Sequence, residues 1–202
     1  MDTDRSLQAR WRRGDAEAAQ TIVTLHYPRM LGLLYRLSGT REQAEELTQE
    51  LFARLTRHVR SVGPADNLGA WLYWAAVNLW RDQLRRAITA RTRGITQSGG
   101  DDELARCQAP DNVEASLDAS WHRDAVRQAV MDLEPRHREV VVLCYYQGLT
   151  YEETAAAVGI PVGTVRSRLH HAVAHLRRRF SYDGKEGPEP WLTTENVTSD
   201  RS

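Results

Sequence analysis

Residues 148–180 read GLTYEETAAAVGIPVGTVRSRLHHAVAHLRRRF, and this stretch decides the fold of the second half of the chain. Thr150 and Glu153 have the spacing of a capping box, which starts a short helix. Gly159 permits the left-handed turn that ends this helix, and Pro161 suits the first turn of the next one. The pattern predicts a helix, a tight turn and a second helix.

The second helix of this pair is amphipathic. Its apolar positions recur at helical spacing and are Val162, Val165, Leu169, Val173 and Leu176. The positions turned toward solvent are Thr164, Arg166, Ser167, Arg168, His170 and His171. Such a face predicts a helix that reads bases in the major groove of DNA, and the arginines at 177–179 would bind phosphates or cap the helix. The alternative is a helical pair with a solvated charged face.

The first half of the chain is also predicted to be helical. Asp15 suits the cap of a helix that ends at Gly39, with a kink or break at Pro28. Thr40 and Gln43 then form a second capping box. The helix that follows places apolar side chains on one face and acids on the other. The apolar set is Ala44, Leu47, Leu51, Phe52, Leu55 and Val59, and the polar set is Glu45, Glu46, Gln49 and Glu50.

A third helical run, at residues 68–93, is rich in aromatic residues at its start and in arginine at its end. Its predicted core positions are Leu72, Ala76, Leu79 and Leu84, with parts of Trp71 and Trp80. The arginines are Arg81, Arg85, Arg86, Arg91 and Arg93. A helix with this basic end needs an anionic neighbour or free water.

These patterns predict an all-α protein of two helical domains. We place the first domain at residues 1–93, a flexible acidic linker at 94–118, a helix-turn-helix domain at 119–180 and a disordered tail at 181–202. The net charge is zero, yet the first domain has 15 basic and 10 acidic residues, while the linker has one and six. Two domains with a net positive charge, at residues 1–93 and 119–180, therefore lie on either side of a negatively charged linker.

Several classes of protein are disfavoured by composition. The two cysteines, Cys107 and Cys144, form no CxxC motif, which argues against a zinc ribbon or a disulfide framework. No stretch approaches the ~20 apolar residues of a membrane span, so we expect a cytoplasmic protein. His171 and His175 lie one helical turn apart without the further ligands of a metal site. We expect no catalytic residue, metal or cofactor.

Two stretches of the sequence resemble a known family, the extracytoplasmic-function group of the sigma-70 family of bacterial RNA polymerase sigma factors. Residues 133–179, LEPRHREVVVLCYYQGLTYEETAAAVGIPVGTVRSRLHHAVAHLRRR, resemble the fourth conserved region of that family. AEELTQELFARL at 44–55 and LGAWLYWAAVNLWRDQLRR at 68–86 resemble its second region. The resemblance implies a non-enzymatic subunit that directs promoter-specific initiation of transcription.

The resemblance also implies roles for individual residues. Core polymerase would be bound through the clamp helices of its largest subunit and through its flap. The residues implied for the clamp helices are Glu45, Glu46, Leu47, Gln49, Glu50 and Phe52. A solvated helix face is the alternative for the three glutamates.

For the minus-ten promoter element, the implied residues are Val62, Asn67, Trp71, Trp74, Asn78 and Arg81. Aromatic side chains suit this task because they stack on exposed bases, but the tryptophans can equally be core residues. Trp74 replaces a basic residue that is common in the family. For the minus-thirty-five element, the implied residues are those of the solvent face from Thr164 to His171, where His171 replaces a frequent arginine.

A final implied partner is an anti-sigma factor that holds both domains inactive. Two alternatives remain open from the sequence. One is a stand-alone helix-turn-helix regulator that binds duplex DNA without polymerase. The other is a sigma-like scaffold for a signalling partner.

Overall fold

The protein is described from a computed structural model over residues 2–58, 67–93 and 124–182. Over these ranges the fold is helical and contains no strand, which confirms the all-α prediction. The helices are α1 (Asp2–Arg12), α2 (Ala16–Ser38), α3 (Arg41–His58), α4 (Leu68–Thr92), α5 (described over 124–131), α6 (Pro135–Val141), α7 (Tyr151–Val158) and α8 (Val162–Tyr182). The predicted linker and residues 183–202 of the predicted tail lie outside the described residues, while residues 181 and 182, also placed in the tail, are the last two of α8.

Helix α1 was not anticipated, because its sequence is mostly polar and shows little apolar periodicity. It buries Leu7 and packs along α2. Its end is joined to α2 by Asp15, whose carboxylate accepts hydrogen bonds from the Glu17 and Ala18 amides and from Arg10 Nε. These bonds lower the pKa of Asp15, with the Ala18 amide contributing most. The predicted cap at Asp15 is confirmed.

Helix α2 runs through Pro28 without ending, so the predicted break is wrong. Pro28 is exposed, and water can reach the backbone around it. The helix ends as predicted at Gly39, whose φ of 90° is accessible mainly to glycine. The Gln43 amide then donates to Thr40 Oγ1 at 3.4 Å, which is one half of the predicted capping box.

The side chains predicted to form the core of α3 and α4 are mostly buried, but Val59 lies outside the described residues. Leu51, Leu55 and Leu72 have no exposed surface, and Trp80 retains 2%. Trp71 is half-buried. Helices α2, α3 and α4 therefore form a bundle, which we call the first unit.

Helices α5 to α8 form the second unit, and its predicted turns are confirmed. The Thr150 and Glu153 capping box is complete, with both reciprocal hydrogen bonds present, and Gly159 is left-handed with φ of 72°. The apolar run from Val140 to Leu143, whose residue types also suit a strand, is helical and fully buried. It continues into a π-helical turn, Val142–Tyr146, which the sequence analysis did not anticipate.

The two units pack against each other over the described residues. Helix α4 of the first unit lies against α7 of the second, and buried side chains of both units form one continuous cluster. The units approach closely at Gly39, where a Cβ atom would lie 2.4 Å from Met131 Cε. No helix in the described ranges is long and apolar enough to cross a membrane.

Candidate nucleic-acid interface

One face of α4 carries four of the residues predicted to contact the minus-ten element. Asn67, Trp71, Trp74 and Asn78 are spaced by four, three and four positions, which places them in a stripe along the helix. We call these four residues the α4 stripe. Val62, predicted to join them, lies outside the described residues.

The stripe combines fixed and exposed side chains. The Asn67 side-chain oxygen caps α4 by accepting from the Gly69 amide at 3.0 Å, so its position is set by the helix start. Trp71 packs against the core, whereas Trp74 is 48% exposed. About half of the Trp74 side chain therefore faces solvent, where it is available to a flat ligand such as a base.

Arg81 lies one turn beyond Asn78 and is held by the second unit. Its Nε and Nη2 atoms donate to the two carboxylate oxygens of Glu139, at 2.9 and 2.7 Å. Its Nη1 atom donates to the Val158 carbonyl at the end of α7, at 2.8 Å. A guanidinium suits this place because the C-terminal end of a helix attracts positive charge.

The same carboxylate also binds Arg168 of α8, the predicted DNA-reading helix, and Arg168 Nη1 lies 2.8 Å from Glu139 Oε1. Glu139 is 2% exposed, while the side chains of Arg81 and Arg168 are 27% and 23% exposed. A buried carboxylate is tolerated when it is paired and hydrogen-bonded, and two arginines provide this. We call Arg81, Glu139 and Arg168 the arginine triad.

Glu139 was not among the predicted site residues, although the sequence contains one signal for it. A single acid directly before the apolar run of residues 140–143 predicts a carboxylate carried into the core, which needs a cationic partner.

Helix α8 exposes the rest of the predicted minus-thirty-five face. Arg166, Ser167, His170 and His171 are exposed, and Thr164 is half-buried. The Arg166 guanidinium lies over the Tyr151 ring, 5.6 Å from its centroid, which is within the range of a cation–π contact. Tyr151 of α7 thereby orients an arginine that still faces solvent.

Three histidines gather beside this face. The His171 ring centroid lies 5.9 Å from that of His170 and 6.3 Å from that of His137 on α6. Burial lowers the pKa of His137, and nearby positive groups lower it further against the opposing effect of Glu134. Among the described residues no group of three or more His, Cys, Asp or Glu side chains is arranged to hold a metal.

A groove between α3 and α4 contains most of the residues predicted to bind polymerase. Its cavity volume is about 530 Å³, and it is lined by Glu46, Leu47, Gln49, Glu50, Ala53, Arg54, Leu79, Asp82, Gln83 and Arg86. We call it the α3–α4 groove. Asp82, Gln83 and Arg86 were not predicted as part of such a surface, because only the packing of α3 on α4 brings them there.

The predicted polymerase-binding residues differ in accessibility. Glu46 and Gln49 are exposed, and Glu45 pairs with Arg41 at 2.7 Å. Glu50 binds Arg54 and Arg57, and the hydrogen bond from Arg54 is the main cause of its lowered pKa. Leu47 and Phe52 are buried, with 5% and 8% of their surface exposed.

Comparison with known proteins agrees with this arrangement. Residues 22–88 match the family model of sigma-70 region 2, and residues 123–176 match that of sigma-70 region 4. The chain is 35% identical over 169 residues to the extracytoplasmic-function (ECF) sigma factor SigL of Mycobacterium tuberculosis, covering 81% of this chain and 92% of SigL. It is 30% identical over 177 residues to SigW of Bacillus subtilis, covering 84% of this chain and 92% of SigW.

A third relative is longer. The chain is 38% identical over 157 residues to the ECF sigma factor SigE of Mycolicibacterium smegmatis, covering 77% of this chain and 59% of SigE. The chain therefore belongs to the extracytoplasmic-function group of the sigma-70 family, whose members are sigma factors of RNA polymerase.

Solved structures show the same fold. CnrH, in its complex with the cytosolic domain of CnrY, is 24% identical with a TM-score of 0.63, covering 90% of this chain and 99% of that chain. RpoE of Bartonella quintana, in complex with the anti-sigma factor NepR, is 23% identical with a TM-score of 0.63, covering 81% of this chain and 97% of that chain.

Proposed function

We propose that this sigma factor binds core polymerase through the α3–α4 groove, reads the minus-ten element with the α4 stripe and reads the minus-thirty-five element with α8. The observation that carries the proposal is the placement of three distinct surfaces on one helical scaffold. Two carry groups suited to DNA, and the third is a polar groove lined by three acids and two arginines.

For the minus-ten element, the exposed Trp74 provides a stacking platform, and Asn78 provides a polar side chain one turn away. Stacking of a base on an aromatic ring contributes about 1–3 kcal/mol. Arg81 would add a phosphate contact once it leaves the arginine triad.

For the minus-thirty-five element, we assign base contacts to the exposed groups Arg166, Ser167, His170 and His171. Thr164 lies at the N-terminal end of α8, where a backbone contact with phosphate is favoured. Arg168 differs because its guanidinium is bound to Glu139, so we assign it the task of holding α8 against α6.

For core polymerase, Glu46 and Gln49 offer exposed polar groups at the mouth of the groove, with Glu45 and Glu50 beside them. The exposed carboxylate of Glu46 suits a basic partner such as the clamp helices, whereas Glu45 and Glu50 are paired with arginines of α3. Leu47 and Phe52 are buried, so they would support the groove wall rather than touch the partner. The flap would contact the second unit.

Three further points belong to the proposal. The chain acts as an initiation factor without catalysis of its own, and it works in the cytoplasm where polymerase is found. An anti-sigma factor is an expected partner, because the similar RpoE of Bartonella quintana forms a complex with one. Such a partner would need to reach both units.

The test is transcription by purified bacterial core polymerase on a library of promoter fragments, at a stated salt concentration. We expect discrete transcripts that require the protein. Asn78→Ala and Arg166→Ala should each reduce them at least tenfold, whereas Gln20→Ala and Arg5→Ala, exposed residues of α2 and α1, should not.

Polymerase binding is tested separately by the affinity of the protein for core. Glu46→Arg should weaken it at least tenfold, and Glu17→Arg, a charge reversal in the first turn of α2, should not. Failure of the parent protein both to bind core and to direct a start site would refute the proposal. Tight specific binding of duplex DNA by the free protein would then favour a stand-alone regulator.

A further inference from the structure

Three histidines form a cluster where α6 meets the face of α8 to which base contacts are assigned above. The ring of His171 lies at its centre, 5.9 Å from the ring of His170 and 6.3 Å from that of His137, measured between centroids. His170 and His171 are exposed, and His137 is half-buried. We call these residues the histidine cluster. Histidine changes its charge between about pH 5 and 8, so this cluster can respond to an anionic ligand by taking up a proton.

The charges around the cluster oppose such a proton in the free protein. The titratable and charged groups that act on His137 come from both helices and are Glu134 and Arg136 of α6 and Arg168 and His171 of α8. Burial is the main cause of the lowered pKa of His137. The positive groups lower this pKa further, and Glu134 alone raises it. Glu134 is itself paired with Arg136 at 2.6 Å, which offsets part of its charge.

Helix α8 adds to the positive charge near the cluster, because five of its 21 residues are arginines and none is acidic. Arg166 and Arg168 both precede His171 on this helix. Glu139 offsets part of the charge of Arg168, whereas Arg166 lies over the ring of Tyr151. Duplex DNA would reverse the balance, since it carries one phosphate charge per about 1.7 Å of its length. A duplex on this face therefore favours a protonated cluster.

We propose that His171 determines specificity in the minus-thirty-five contact, and that it reads DNA as an imidazolium with a proton taken up from solvent as the duplex docks. This inference rests on the proposed function, because it deepens the role assigned above to α8. A protonated imidazole donates from both ring nitrogens and accepts no hydrogen bond. The base edge that suits it is that of guanine, which presents the acceptors N7 and O6 in the major groove.

The position of His171 within the cluster explains why it carries the proton. It is the ring that both other rings contact, with interplanar angles of 74° to His170 and 38° to His137. A neutral imidazole has one nitrogen that accepts a hydrogen bond, so neutral neighbours favour a charged ring between them. Burial keeps His137 neutral by lowering its pKa. The cluster therefore carries one positive charge, and this charge lies on an exposed ring that DNA can reach.

Proton uptake gives the binding a definite dependence on pH. The complex with DNA holds more protons than the free protein, so affinity rises as pH falls through the range in which histidines titrate. One proton changes the dissociation constant by at most about tenfold per pH unit. Uptake is partial at both ends of the range, so we expect about tenfold tighter binding at pH 6 than at pH 8.

The test measures the affinity of the holoenzyme for a promoter fragment between pH 6 and pH 8 at constant salt concentration. The fragment is one that the transcription library identifies, and a fragment with a scrambled minus-thirty-five element is the control. The control should change by less than about threefold. His171→Gln should remove most of the pH dependence of the intact fragment, because glutamine keeps hydrogen bonds but takes up no proton. Equal pH dependence in the parent and His171→Gln would overturn the proposal.

Three further variants separate charge from packing. His171→Arg carries a permanent charge, so at pH 8 it should bind at least as tightly as the parent does at pH 6, with little dependence on pH. Weaker binding than the parent at pH 8 would contradict a cationic role. His137→Phe keeps a ring but removes its nitrogens, and it should move the rise in affinity to lower pH. His175→Gln, an exposed histidine of α8, should keep the parent profile.

The base that His171 reads is tested by replacing each guanine of the minus-thirty-five element with 7-deazaguanine, which lacks N7. At pH 6 one replacement should weaken binding of the parent severalfold and leave His171→Gln unaffected. If no replacement distinguishes the two proteins, His171 does not read guanine and the proposal fails.

These outcomes also distinguish the inference from the proposed function. Discrete transcripts together with the same affinity from pH 6 to pH 8 would leave the proposed function standing and refute proton uptake. Failure of the parent holoenzyme to recognise the minus-thirty-five element at any pH would refute the proposed role of α8 and this inference with it.

Discussion

Arg166 and Arg168 lie two positions apart on α8, yet their surroundings give them different tasks. Arg166 extends over the Tyr151 ring toward solvent, whereas Arg168 turns inward to a carboxylate with 2% exposure. An arginine on a recognition helix is therefore not automatically a base contact. Whether it contacts DNA depends on whether a buried acid has already bound it.

This difference predicts a large loss of stability for one alanine substitution and a small loss for the other. Arg168→Ala leaves Glu139 with Arg81 alone, so we expect the free energy of unfolding to fall by about 2 kcal/mol or more. Arg166→Ala should change it by less than about 0.5 kcal/mol, as is usual at exposed sites. Urea unfolding monitored by circular dichroism measures both. Equal losses for the two variants would contradict the assignment of Arg168 as a positioning residue.

The single residue His137 makes the folding stability of the protein depend on pH. Burial lowers its pKa below the ordinary value of about 6.5, so the folded protein binds the proton less readily than the unfolded chain. Its contribution to stability is present above the ordinary pKa and declines as pH falls toward the folded pKa. His137→Gln should make the stability less dependent on pH in that range, as measured by urea unfolding at several pH values. His175→Gln, an exposed histidine of α8, is the control and should retain the parent dependence.

Among the helices, local signals determined how much was predictable. The caps at Asp15, Thr150 and Gly159 follow from short sequence patterns, and the structure has them. Helix α1 was not predicted, because its burial depends on packing against α2, which no local sequence pattern reveals. The π-helical turn at Val142–Tyr146 was missed for the same reason.

Some features of the candidate site could likewise be predicted from local sequence patterns, and others depend on packing between distant segments. The exposed faces of α4 and α8 follow from periodicity, since positions three and four apart share a face. The partner of Arg81 could not be predicted, because Glu139 lies 58 positions away and packing between units brings it there. The burial of Leu47 and Phe52 was foreseen by periodicity, although the family resemblance assigned them to binding.

Gly39 provides a prediction about the end of α2. Gly39→Ala introduces a Cβ at φ of 90° and directs it at Met131 Cε, 2.4 Å away. The left-handed backbone costs an ordinary residue about 1–2 kcal/mol, and Met131 Cε, the end of a flexible side chain, can move aside at little further cost. Gly14→Ala has a similar φ of 96° with open space around the new atom, so it measures the backbone cost alone. Urea unfolding should show similar losses for the two variants, and a clearly larger loss for Gly39→Ala would show that Met131 is held in place by its neighbours.

At the scale of the whole molecule, Gln147 of the second unit accepts hydrogen bonds from two side chains of the first unit. Its side-chain oxygen accepts from Arg29 Nε and from the Tyr73 hydroxyl, each at 3.3 Å. Burial raises the pKa of Tyr73, which keeps this hydroxyl protonated as a donor. Gln147 thus connects α2 and α4 to the segment before the helix-turn-helix.

Gln147→Ala should shift the molecule toward a more open shape. We expect a larger radius of gyration in small-angle scattering, because two contacts between the units are lost. Gln128→Ala removes a glutamine that bonds to Asp132 within the second unit, and it should leave the radius unchanged. An unchanged radius in both variants would show that Gln147 does not hold the units together.

The sharing of Glu139 also limits how the sequence can drift during evolution. Two residues joined by a simple salt bridge can exchange their charges through successive substitutions and keep the bond. Here Arg81→Glu combined with Glu139→Arg would set two guanidinium groups beside each other at positions 139 and 168 and would leave the Val158 carbonyl facing a carboxylate. Inherited change at any one position of the triad is therefore constrained by the other two, and no exchange of charge between Arg81 and Glu139 preserves it.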